Sequence, residues 1–123
     1  MISPLHTVVE TPEFRRRIAR LLGDAERQAL IDHVAANPHA GEPMAGSGGA
    51  RKLRWRLPGK GKSGGIRVIT FFSGPPVPVF LMSAFGKGQR VNLTRAERNE
   101  LRKILGDLVK AYKQGVRRNV QGR

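Results

Sequence analysis

Ten cations stand between Glu42 and Glu97, and no carboxylate lies among them: Arg51, Lys52, Arg54, Arg56, Lys60, Lys62, Arg67, Lys87, Arg90 and Arg95. A surface that is merely solvated normally mixes both signs, so a run of this kind points to a face that binds a polyanion. The formal charge of +14 and the pI near 11.7 act in the same direction. A field of that sign concentrates phosphate polyanions and speeds their encounter with the protein.

The cations also limit the chemistry. A nuclease that works through metal ions needs carboxylates or histidines to hold them, and the basic interval contains neither. His6, His33 and His39 all lie in the N-terminal third, at spacings that match no zinc motif, and read as surface or half-buried side chains. Cysteine is absent, which removes disulfides, thiolate nucleophiles and cysteine zinc sites. No cofactor is implied. Lysine and arginine can still support one reaction, the cleavage of RNA by its own 2′-hydroxyl. The substrate supplies the nucleophile, and the protein sets in-line geometry, stabilises the phosphorane charge and assists proton movement.

Arg67 is the best-placed stabiliser. It falls inside the strand-like run Ile66, Val68, Ile69 and Phe71, where a guanidinium is expensive unless it faces a concave site or a partner. The alternative is an arginine that ends its strand at the solvent edge. Lys52 and Lys87 are candidates for proton transfer, since a lysine that neighbouring cations hold deprotonated can act as a general base and an ammonium can protonate a leaving oxygen. The same side chains also bind phosphate without chemistry, so composition alone leaves an enzyme and an RNA-binding module both open.

The segment "GKGKSGG" (59–65) invites comparison with a phosphate loop, but with Gly61-Lys62-Ser63 as its end that motif requires glycine at position 56, where the chain has Arg56. It also requires a helix afterwards, and "IRVITFF" has a strand pattern.

The elements that must position these groups follow from hydrophobic period. "LHTVVE" (5–10) is a short strand, and in "TPEFRRRIARLL" Thr11 caps a helix with Pro12 at its first position and Phe14, Ile18, Leu21 and Leu22 on one face. Asp24 caps a second helix that ends at Asn37-Pro38, with Leu30, Ile31 and Val34 as its stripe. After the connection "HAGEPMAGSGGA" the period becomes two: Leu53, Trp55 and Leu57 point into the core, and Lys52, Arg54 and Arg56 share the other face. Two further strands, "GIRVITFF" and "VPVFLMSAF", are joined by "SGPPVP"; the last is apolar enough to be covered on both faces. A capping box of Thr94 and Glu97 opens a C-terminal helix with the stripe Leu101, Ile104, Leu105, Leu108 and Tyr112. The order βααβββα predicts an α+β fold, a small antiparallel sheet with two N-terminal helices and one C-terminal helix on its core face. Residues 1–112 form one domain, followed by a mobile basic tail at 113–123. No apolar run approaches membrane-spanning length, and a soluble cytoplasmic protein is expected.

The order of elements, together with "GSGGARKLRWRLPGKGKSGGIRVITFF" and "VFLMSAFGKGQRVNLTRAERNELRKIL", resembles the RelE/HigB branch of the RelE/ParE toxin superfamily, the toxin halves of type II toxin–antitoxin pairs. The resemblance covers residues 5 to 110. It implies a RelE-like fold and metal-independent cleavage of mRNA in the ribosomal A site, with a cognate antitoxin, the ribosome and mRNA as partners and no membrane. By position, Lys52, Arg54, Arg67 and Lys87 match the family's catalytic cations, and Arg90 lies in the same basic stretch. Phe85 stands where related chains often carry tyrosine, which removes a hydroxyl from the proton path and leaves an aromatic able to stack on a base. The segment 58–65 matches the family's hairpin tip, where Lys60 and Lys62 reach phosphates. The resemblance also keeps a second class open, a non-catalytic RNA binder or an inhibitor of DNA gyrase as in the ParE branch. A gyrase inhibitor has no need of the four catalytic cations together.

Overall fold

The computed structural model describes residues 5–57, 65–90 and 93–121, the last six by backbone alone. The expected α+β order is present: β1 (Val8–Glu10), α1 (Pro12–Ile18), α2 (Asp24–Ala36), β2 (Glu42–Pro43), β3 (Ala50–Trp55), β4 (Ile66–Phe71), β5 (Val79–Phe85) and α3 (Arg95–Gln121). The five strands form one sheet in the order β1-β5-β4-β3-β2. The β3, β4 and β5 meander is antiparallel, as expected. The sheet as a whole is mixed, because β1 runs parallel to β5 with Val8 opposite Val79. The two-residue β2 lies in what reads as connecting sequence and pairs antiparallel with the outer edge of β3.

Thr11 caps α1 as its type suggests, accepting from the Phe14 amide at 3.3 Å while its Oγ1 donates to the Leu81 carbonyl at 2.9 Å. One side chain therefore both starts the helix and fastens it to β5. The α2 cap departs from expectation. Gly23 occupies the N-cap without a side-chain bond, and Asp24 is the first helical residue, where its charge favours the positive end of the helix dipole. An ion pair of 2.7 Å between Arg27 and Glu10 ties α2 to β1.

Both faces of the sheet are covered, which corrects the expectation of helices on one core face. Phe14, Ile18, Leu22, Leu30 and Val34 of the α1–α2 layer pack on Leu53, Val68, Val79 and Leu81. On the opposite face α3 contributes Leu105, fully buried, with Leu101, Leu108, Val109 and Tyr112 against Ala50, Ile69, Phe71 and Phe80. The reason lies in β4 and β5, whose alternate residues are apolar on both sides. A strand of that kind must be covered twice. The backbone of α3 also continues to Gln121, where the fading amphipathic period suggests a tail from residue 113.

The loop between β2 and β3 is pressed onto α3. Gly48 has φ +81, and a Cβ there would sit 2.8 Å from Cγ of Arg102 and 3.3 Å from its Cα. Only glycine allows both that backbone and that approach. Ser47, fully buried, closes the turn: its Oγ donates to the Met44 carbonyl at 2.6 Å and accepts from the Ala50 amide at 3.0 Å.

Candidate functional site

The α3 face of the sheet is divided along the strands. One end, at Ala50, Phe71 and Phe80, is apolar and covered by α3. The other end carries the cations, brought together by strand register: Arg54 stands opposite Arg67, Arg67 opposite Phe85, and Lys52 opposite Ile69. Residues directly across adjacent strands point to the same side. Lys52, Arg54, Arg67 and Phe85 therefore share one face, and Ile69 marks the border with the apolar half.

Lys52, Arg54 and Arg67 line a groove of about 260 Å³, together with Gly41 and Glu42 among the described residues. Arg67 is half-buried and held from the side. Its Nη2 donates to the Gln89 carbonyl at 3.2 Å and makes a longer 3.5 Å contact with the Gly86 carbonyl. Its Nε is buried without a partner. The Gln89 side chain in turn accepts from the Gly86 amide, so the turn that grips Arg67 is itself braced. A guanidinium has five donor hydrogens, and this arrangement orients the group while leaving much of that capacity unspent.

The remaining candidates are placed differently. Lys87 is exposed on the turn that holds Arg67 but does not line the groove. Phe85 is half-buried, and the Arg17 guanidinium lies over its ring, 4.9 Å from the centroid. One ring face is therefore occupied, and a base would have to use the other. Arg90 is drawn toward α3, where it meets both oxygens of Glu97 at 3.1 Å. The Arg90 guanidinium and the bonds from Thr94 hold the Glu97 carboxyl down at about 2. Arg90 borders a separate apolar trough of about 560 Å³ formed by Ile69, Met82, Phe85, Leu101 and Ile104. Lys60 and Lys62 lie outside the described residues.

The histidines take no part. His6 and His39 pack edge-on against Phe72, and His33 lies 5.4 Å from Trp55, all on the α1–α2 side. Among the described residues no group of three or more His, Cys, Asp or Glu side chains could hold a metal ion.

Glu42 is the residue that sequence reasoning missed. It reads as the near boundary of the carboxylate-free interval, yet β2 returns it to the basic face directly opposite Lys52. Glu97, the far boundary, also returns, to Arg90. The signal for Glu42 is Gly41, with φ +101 and a Cβ position only 2.8 Å from the Lys52 carbonyl oxygen. A glycine at that point lets the chain close onto β3. No family model matches the chain.

Proposed function

We propose that the chain is the toxin of a type II toxin–antitoxin pair, a ribosome-dependent mRNA endoribonuclease that acts in the cytoplasm without a metal and is neutralised by its cognate antitoxin. The observation that carries this reading is the grouping of Lys52, Arg54 and Arg67 in one groove, at the end of the sheet away from the Ala50, Phe71 and Phe80 cluster that α3 covers. Two arginines directly opposite each other repel, and an arrangement that costs stability is justified by a ligand that neutralises it. A phosphodiester does so.

The chemistry follows from the groups present. Arg54 and Lys52 hold the phosphates, and Arg67, oriented by Gly86 and Gln89, places planar donors where charge develops as the 2′-oxygen attacks phosphorus. Donors fixed before the reaction need no reorganisation during it. The resemblance to RelE and HigB toxins agrees with this assignment in four cations at matching positions.

Mapping mRNA 5′ ends in a translating extract, with and without the protein, tests the reading. New ends at codons occupying the A site, persisting with chelator when ribosomes are kept intact separately, support it. Binding to ribosomes with no new ends leaves the non-catalytic binder. Arrest of DNA supercoiling in place of translation leaves the gyrase inhibitor.

A further inference from the structure

The geometry points to Glu42 as the general base of the reaction, with Lys52 as its acid partner, an inference that rests on the ribonuclease reading above. Among the described residues, Glu42 is the one carboxylate lining the groove with Lys52, Arg54 and Arg67. It stands directly across from Lys52, and among the described residues no Lys or Arg forms an ion pair with it. It is exposed, so it is accessible to substrate. Gly41, the only residue type that fits against the Lys52 carbonyl, holds it there. A carboxylate left unpaired beside three cations weakens phosphate binding, and proton abstraction gives it a use.

A carboxylate is also the better chemical fit. Arginine and lysine side chains offer donor hydrogens and no acceptor, whereas both carboxylate oxygens of Glu42 are acceptors able to take a proton. In the step, Glu42 takes the proton as the 2′-O–H bond breaks, the 2′-oxygen bonds to phosphorus, and the P–O5′ bond breaks. The departing 5′-oxygen takes a proton from the Lys52 ammonium. The products are a 2′,3′-cyclic phosphate and a 5′-hydroxyl. Glu42, now a carboxylic acid, returns its proton across the strand pair to the Lys52 amine, which restores both groups. No metal or other reactant enters the balance.

The test is single-turnover cleavage of mRNA on programmed ribosomes at saturating protein, beside equilibrium binding to the same ribosomes, for wild type, Glu42→Gln and Glu42→Asp. Glu42→Gln is expected to cleave about 10²-fold more slowly or worse while binding as tightly as wild type or tighter, because a negative charge has left a phosphate site. Glu42→Asp, which keeps the carboxylate on a shorter stem, should fall between them. A bystander carboxylate gives the opposite sign: Glu42→Gln would then cleave at least as fast as wild type, and the assignment is overturned. Equal loss of affinity and rate in Glu42→Gln also overturns it, since Glu42 would then be shaping the groove. Thermal melts of the three proteins exclude misfolding as the cause of a slow rate, and Glu42→Asp decides the matter if Glu42→Gln melts low. Wild-type protein that cleaves nothing overturns the ribonuclease reading itself, a result distinct from a cleaving wild type with an equally active Glu42→Gln.

Discussion

Arg54 and Arg67 stand directly opposite each other on β3 and β4, two like charges in one cross-strand pair. Arg54 is exposed and Arg67 half-buried, with Arg67 drawn away from its neighbour by the carbonyls of Gly86 and Gln89. The sheet tolerates this pair without a salt bridge to either member among the described residues.

Removing one charge of the pair should separate stability from binding. Arg54→Thr relieves the repulsion and places a strand-favouring residue on β3, and should stabilise the fold by about 0.2–1 kcal/mol. A calorimetric midpoint raised by up to about 4 °C is the expected readout. Ribosome affinity should fall, and the slope of log affinity against log salt should shrink by about 0.7 for the lost single-strand phosphate contact. A variant that is less stable and binds normally would remove Arg54 from the site.

Arg67 should act on the rate more than on affinity. Arg67→Ala is expected to slow cleavage by about 10²-fold or more with ribosome binding nearly intact, because other cations carry the binding. Arg67→Lys should restore little, since an ammonium lacks the planar fork held by Gly86 and Gln89. Single-turnover rates beside binding constants check this, with melting to confirm the fold. Equal losses in both would make Arg67 a docking residue.

The start of α3 should be sensitive to acid. Glu97 is held at about 2, against an ordinary 4.5, by Arg90 and by its bonds with Thr94. Its folded-state value is depressed, so its contribution is present above the unfolded value and disappears as pH falls through the folded one. Stability should decline from about pH 5 toward pH 2, and Glu97→Gln should flatten that portion of the curve. Circular dichroism melts across this range follow it. Thr94→Ala, which deletes the other half of the box, should cost about 1 kcal/mol at neutral pH.

Gly48 should not accept a side chain. Its φ of +81 and the 3.3 Å approach of its Cβ position to Arg102 Cα leave no relaxed arrangement. Gly48→Ala should destabilise the protein by more than 1 kcal/mol, with the loop moving off α3 and Leu105 losing cover. Denaturant unfolding measures the first effect and amide exchange along α3 the second.

What the sequence by itself determined is what depends on neighbours in the chain. The Thr11 cap, the Thr94–Glu97 box, the alternation through Lys52, Leu53, Arg54 and Trp55, and the doubly apolar β5 are all short-range patterns. Each expresses a local hydrogen bond or a side-chain period, so it survives without knowledge of the rest of the fold. The tertiary structure decided which strands pair and which face each helix covers. Period shows that β1 is a strand and leaves open that it lies parallel to β5; the stripe of α3 shows that it packs and leaves open that it covers the side opposite α1 and α2. The groove is of the same kind. Lys52, Arg54 and Arg67 are visible as cations, but their meeting with Glu42 depends on a two-residue strand, too short for any period, that closes onto β3 at Gly41. Arg90 shows the converse: by type it is a phosphate ligand, and the capping carboxylate of Glu97, seven residues on, holds it at the start of α3.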